Sequence, residues 1–369
     1  MSTTWLAREQ STTDAARPLV FTADPVLMEE VLRVGASVGV HLEVLEDVVA
    51  VRRRWSTAPL VLVGDDAAPG LAASRPAPRD DVVVLTAASD TGLVWELAAG
   101  VRADTVICLP GGADVLIERL GRVDEPLGPR ARVAGVVGGR GGAGASSLAT
   151  AIAAVAARRA HRSLLVDADP LGGGLDLVLG CEEQEGLRWP DLAEARGRVS
   201  ARALTSLVPR AHGVGVLAWG RGQPSSVPSE AVTSVLDAAA RGNDLVVVDL
   251  PRAGDAAVTA AASAVEVLLL LIPAELRAVA AAGRVHQRYS DLIADVRVVV
   301  RGPSPSGLDA EAIANALGLP LAGSMRADKS LAGSLEHGLV PAARHRGPLA
   351  SLARRIVNAL AGGEARRVA

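Results

Sequence analysis

The sequence predicts an α/β protein made of two doubly wound domains, each an open parallel sheet flanked by helices. Three observations lead there. Short apolar runs alternate with helix-length stretches, the alternation breaks once at a polar segment with two prolines, and it restarts over a longer span. Strands of a parallel sheet are covered on both faces, so they read as near-continuous apolar runs. A chain of 369 residues, 49% of them hydrophobic, is long enough to fill two such cores.

Residues 1–17 read as a polar tail. In residues 18–125 the apolar runs LVFTADP, PLVLVGDD, VVVLTAASD and TVICLPGG are strands, and VLMEEVLRVGASVGV is a helix. The segment Val123 to Arg132, VDEPLGPRAR, has linker composition and places the boundary near residue 126. Residues 126–369 carry six further runs: ARVAGVVGG, SLLVDADP, GVGVLAWG, DLVVVDLP, VEVLLLLIP and VRVVVRG. The stretch AWGRGQPSSVPSE reads as a loop, because Gly, Pro and Ser cluster in it.

Composition narrows the function. A net charge of -3 gives no global field for nucleic acid or an anionic membrane, so no specific nucleic-acid partner is expected. No run reaches the length of a membrane span, and the N-terminal stretch lacks the order of a signal peptide, which predicts a cytoplasmic protein. Cys108 and Cys181 are too few for a disulfide scaffold and are expected to be buried and inert. Lys329 is the sole lysine beside 37 arginines, so an arginine in a lysine position is compatible with simple drift.

Between VAGVV and SLATAIAAVAARRA lies Gly138-Gly139-Arg140-Gly141-Gly142-Ala143-Gly144-Ala145-Ser146-Ser147. A glycine-rich turn lets the backbone wrap with its N–H groups converging, and the following helix N-terminus adds positive dipole, so a polyphosphate can be cradled there. Against G-x-x-x-x-G-K-[ST], Gly139 and Gly144 fit the glycine positions and Ser146 that of the metal-binding hydroxyl, but Ala145 replaces the phosphate lysine. The cofactor-binding candidates are therefore Gly139, Arg140, Gly141, Gly142, Ala143, Gly144, Ala145, Ser146 and Ser147.

Two acidic motifs follow. Asp167 and Asp169 close the run SLLVDAD, and residues two apart on an extended strand face the same side, so both carboxylates can serve one site. In DLVVVDLP an apolar strand ends in Asp249, at the edge where open α/β sheets bind ligands. Ser146 and Asp249 are the candidate Mg2+ residues.

These motifs, in this order, resemble the ParA/MinD group of deviant Walker ATPases over residues 131 to about 360. The family's loop reads K-G-G-x-G-K-[ST], and its extra signature lysine reaches across a nucleotide-sandwich dimer. Arg140 stands at that signature position, where a guanidinium keeps the charge and can grip phosphate bidentately. The resemblance implies ATP or ADP with Mg2+, a homodimer, and catalytic roles for Asp169 in positioning water and Asp167 in supporting the metal; how the two divide these tasks stays open. It continues through VEVLLLLIPAELRAV and residues 314–338, similar to the family's LG-x-P-x-x-G-x-I-P-x-D stretch. It departs at Ala145 and at Val299-Val300-Arg301-Gly302, where relatives commonly carry an asparagine that reads adenine, so base specificity stays open.

The first domain resembles a CheY-type, flavodoxin-like receiver with Asp24 after the first strand, Asp65 and Asp66 after the third, and Thr86 after the fourth. Cys108-Leu109-Pro110 lacks the receiver lysine before proline, and Ala23 replaces one acid, so the domain reads as a pseudo-receiver that docks proteins. A receiver-like front joined to a lysine-deficient ParA/MinD-type domain is the arrangement of the CpaE/TadZ group, which includes the actinobacterial septum-site-determining (Ssd) proteins. That resemblance implies a spatial regulator of septum placement and cell division or of Flp/Tad pilus assembly, with pilus, secretion or cell-division partners and weak or absent hydrolysis. Two other functions stay open: an active ATPase cycling between monomer and dimer, and a scaffold that binds no nucleotide.

Near the C-terminus, Leu349, Leu352, Ile356 and Leu360 fall on one helical face. Such a stripe suits a helix docked on its own domain, with peripheral membrane association as the other reading.

Overall fold

The computed structural model describes residues 17–88, 92–123, 130–195, 199–221, 226–305, 307–328, 331–336, 339–342 and 346–361. Most of the polar tail, residues 124–129 of the linker and Lys329 lie outside them. The chain divides into two units, residues 1–124 and 125–369.

The first unit alternates β1 (Leu19–Phe21), α1 (Pro25–Ser37), β2 (Glu43–Val44), α2 (Val48–Arg54) and β3 (Val61–Gly64). It continues with α3 (Ala68–Ala73), β4 (Val82–Thr86), α4 (Gly92–Val101), β5 (Thr105–Cys108) and α5 (Ala113–Val123). The parallel sheet has the order β2-β1-β3-β4-β5, the flavodoxin-like doubly wound arrangement. Every residue of β3 and β4 is buried, as strands covered on both faces must be. β2 was not foreseen from sequence: at two residues, one of them Glu43, it has no apolar run to announce it.

The second unit runs β6 (Arg132–Gly138), α6 (Ala145–Arg158), β7 (Ser163–Asp167), α7 (Leu175–Leu179), a 3-10 turn at Trp189–Leu192, and α8 (Ala201–Leu207). Then come β8 (Arg210–Ala211), β9 (Val214–Leu217), α9 (Ser229–Gly242), β10 (Leu245–Leu250), α10 (Ala256–Ser263) and β11 (Val267–Pro273). It closes with α11 (Leu276–Tyr289), β12 (Asp295–Gly302), α12 (Ala310–Leu317), β13 (Leu321–Arg326), α13 (Leu331–Glu336) and α14 (Pro348–Ala361). The sheet order is β13-β12-β11-β6-β10-β7-β9-β8, parallel except for β8. The six runs read from sequence are the six inner strands. β8 and β13 are additions at the two edges, one very short and the other only half-buried, so neither carries an apolar signature.

β6 sits mid-sheet, between β11 and β10, and the chain leaves it towards β7 on one side and later returns to build β11 on the other. This topological switch point puts a crevice at the C-terminal end of β6, where such sheets take ligands. α6 lies against the sheet with Leu148 to Ala156 all buried. Its alanines let α14 pack over it, with Leu349, Leu352, Ile356 and Leu360 all buried in the same core. The apolar stripe of α14 is thus taken up by the protein's own interior, and this face is not free for a membrane surface. No helix among the described residues is long and apolar enough to cross a membrane.

Candidate functional site

The loop from Gly138 to Gly144 leaves β6 and enters α6. Two of its glycines are required by backbone geometry: Gly142 has φ +68° and Gly144 φ +97°, the left-handed region that L side chains avoid. A Cβ on Gly139 would stand 2.9 Å from that of Ala282, so glycine there lets the loop pack against α11. Gly139 N–H donates to the Leu271 carbonyl at 2.8 Å and Ala143 N–H to the Arg140 carbonyl at 3.3 Å. By contrast, the N–H groups of Gly141, Gly142, Gly144, Ala145, Ser146 and Ser147 have no acceptor among the described residues. Gly144, the N-cap of α6, offers no capping side chain. Unpaired amides at a helix N-terminus in a glycine loop are the physical form of an anion cradle.

Ser146, in the first turn of α6, lies close enough to the carboxyl of Asp249 to favour its ionised form. Asp249 on β10 is the register partner of Asp167 on β7, so the two carboxyls sit side by side on adjacent strands. Both are buried. Burial pushes Asp249 up to about 7, with Asp167 and Asp169 adding to the rise and the nearby Ser146 hydroxyl opposing it. Burial likewise lifts Asp167 to about 6, although Asp167 accepts from the Asp169 and Leu175 amides, both at 3.1 Å. Asp169 is half-exposed and accepts from Leu171 N–H at 3.0 Å, which turns the chain away from β7. The Trp189 indole donates to the Asp167 carbonyl at 2.7 Å and packs against Trp219, ring centroids 5.9 Å apart.

Asp176, in the first turn of α7, is buried between Arg188 at 3.7 Å and Arg221 at 3.3 Å, so the segment after Asp169 is pinned by charge. Ser146, Asp167, Asp169 and Asp249 therefore gather beside the loop. The set suits Mg2+, which takes few protein oxygens and keeps water and phosphate ligands. The loop suits a nucleotide's phosphates. Ala145 leaves it without an ammonium group.

Arg140, expected to reach across a dimer, has partners within its own chain. Its Nη2 donates to Glu275 of the same chain at 2.8 Å and its Nη1 to the Gly141 carbonyl at 3.1 Å, so it is held at the foot of the loop. Sequence reading missed three residues here. Glu275 stands at the N-cap of α11, just past β11, Arg301 lies near the end of β12 with Nη2 3.5 Å from the Gly142 carbonyl, and Arg252 brings Nη2 to 3.9 Å from where a Cβ on Gly141 would stand. Charged residues just at or past the ends of apolar runs are the signal that could have found them.

In the first unit the acids are engaged locally. Asp24 caps α1, accepting from Val26 and Leu27 amides at 2.8 and 3.3 Å. Asp66 accepts from the Thr22 hydroxyl at 2.6 Å and Ala23 N–H at 2.7 Å, and Asp65 from the Thr86 hydroxyl at 2.5 Å. Cys108, expected to be buried, is half-exposed, because β5 is an edge strand. Cys181 is buried, and burial raises its thiol to about 11.

The family model for the Rv3660c-like, CheY-like N-terminal domain matches residues 21–132. Over 338 residues the chain is 40% identical to protein Rv3660c of Mycobacterium tuberculosis strain H37Rv, covering 91% of this chain and 96% of that one. A ParA family ATPase from Chlorobium tepidum TLS superposes with TM-score 0.54 at 20% identity, over 61% of this chain and 98% of its own. The septum site-determining protein MinD from Pyrococcus horikoshii OT3, solved with Mg-ADP, gives TM-score 0.54 at 16% identity, over 65% and 99%. At these identities the structural likeness is one of fold: a CheY-like first domain and a ParA/MinD-like P-loop domain.

Proposed function

The chain belongs to the Rv3660c-like family, and from that premise we propose that it is a nucleotide-binding spatial regulator that holds ATP or ADP with Mg2+ and hydrolyses it weakly or not at all. The observation that carries this reading is the set of six amides, of Gly141, Gly142 and Gly144 to Ser147, that have no acceptor among the described residues, beside Ser146 and Asp249. Those amides bind phosphate oxygens; Ser146 and Asp249 hold the metal; Asp167 and Asp169 flank the terminal phosphate. Mg2+ supplies charge neutralisation on the phosphates. Without a lysine at 145 the loop binds but gives little stabilisation to charge developing in phosphoryl transfer, where one missing donor costs about 10²–10³ in rate.

The septum site-determining relative by fold, and the resemblance to the CpaE/TadZ and Ssd proteins, support a role in placing division or Flp/Tad pilus machinery. Occupancy would set a homodimer's partner surfaces, with cell-division or pilus and secretion proteins as partners in the cytoplasm, at the inner face of the membrane, a septum or a pole. Calorimetry on the full chain with Mg-ATP and Mg-ADP tests the reading, alongside steady-state phosphate release. Saturable binding with little release is expected, and Ala145→Lys should raise affinity or turnover. Absence of binding would leave the scaffold reading, and rapid release abolished by Asp169→Ala the active ATPase.

A further inference from the structure

Arg301 enters the sequence reading only as part of the stretch Val299-Val300-Arg301-Gly302, where relatives commonly carry a base-reading asparagine, yet its side chain lies against the glycine loop. Its backbone is fixed by the sheet: it pairs with Pro273 on β11 and Met325 on β13, and its carbonyl accepts from Ala274 N–H at 2.9 Å. From there Nη2 stands 3.5 Å from the Gly142 carbonyl, and Nη1 lies 3.4 Å from where a Cβ on Gly144 would be. The guanidinium therefore rests against two residues of the cradle whose amides have no acceptor.

The local charge balance is incomplete. Glu275 is engaged by Arg140 at 2.8 Å, and among the described residues no carboxylate comes within ion-pairing distance of Arg301. Burial and the neighbouring Arg140 cation lower the Arg301 pKa, with Glu275 opposing, but a guanidinium stays charged. A partly desolvated cation without a counter-ion is unfavourable and is relieved by an anion that reaches it. The six open amides define where that anion would sit.

We propose that Arg301 supplies from β12 the phosphate-holding cation that position 145 lacks, gripping a bound nucleoside di- or triphosphate from the side of the loop away from the carboxylates. This rests on the nucleotide-binding reading above. β11 and β12 flank β6 on one side, while β10 and β7, bearing Asp249 and Asp167, flank it on the other. A cation so placed holds phosphate without lying beside the metal and the terminal phosphate. Arg301 thus serves affinity more than turnover.

The test is binding of Mg-ADP and Mg-ATP to the full chain by calorimetry, with adenosine and inorganic tripolyphosphate as probes of the two ends of the ligand. Arg301→Ala should weaken both nucleotides and tripolyphosphate about ten- to a hundredfold, as expected for losing a charge-assisted contact, and leave adenosine unaffected. Arg301→Lys should retain most of the affinity, and Ala145→Lys should rescue Arg301→Ala by a larger factor than it improves the wild type. Arg301→Gln, read with its thermal melt, replaces the alanine variant if that fails to fold. If the wild type binds neither nucleotide, the nucleotide-binding reading fails. If it binds and both neutral variants match it at low and high salt, Arg301 has no such role and only this inference falls.

Discussion

Asp249 and Asp167 are neighbours in register on β10 and β7, and Ser146 stands beside the first of them. Burial is the main reason that both titrate high, at about 7 and about 6, and the neighbouring Asp167 charge adds to the rise at Asp249. In the unfolded chain they would release their protons near 3.8. Between that pH and about 7 the folded protein therefore holds more protons than the unfolded one, and its stability falls as pH rises. Without metal or nucleotide, Asp249→Asn should raise the melting temperature more at pH 8 than at pH 5. An equal or opposite difference would contradict the pairing.

The two cysteines should separate in a thiol assay. Cys108 is half-exposed, its Sγ donating to the Ala88 carbonyl at 3.2 Å, whereas Cys181 is buried with its thiol at about 11. At pH 8 only about a thousandth of Cys181 would be thiolate, even before access is considered. The native chain should release one equivalent quickly with a chromogenic disulfide and the second only on unfolding. Fast reaction persisting in Cys108→Ser would show that the Cys181 site is open.

Leu352 on α14 is fully buried against the α6 core. Leu352→Ala should cost about 2–5 kcal/mol in urea denaturation, the usual range for a leucine truncated in a packed core. A loss below about 1 kcal/mol would mean that the helix is not part of that core. Arg354→Ala, at an exposed position two residues along the same helix, serves as the reference and should change stability little.

Most of the architecture was legible because its strands are buried on both faces. Runs such as VLLLLIP in β11 and LVVVDL in β10 announce themselves, while β2, β8 and β13 lie at sheet edges, short or half-exposed, and do not. The loop and its acids were legible for a different reason, since phosphate chemistry demands glycines, a hydroxyl and carboxylates at strand ends in a fixed order. What stayed hidden was brought in by topology. Arg301 is 159 residues from Gly142 in sequence and meets it only because β12 and β11 lie beside β6. The placement of Arg140 was hidden likewise, because its partner Glu275 arrives just past β11.

The indole of Trp189 is tied to the carbonyl of Asp167, and Trp219 packs on it, in a protein with five tryptophans, one tyrosine and one phenylalanine. Two of its few chromophores thus sit directly behind the Asp167 wall of the crevice. Emission excited at the red edge of indole absorption would carry a signal from that wall without any attached dye, so the chain comes with its own optical readout of whether the crevice is filled.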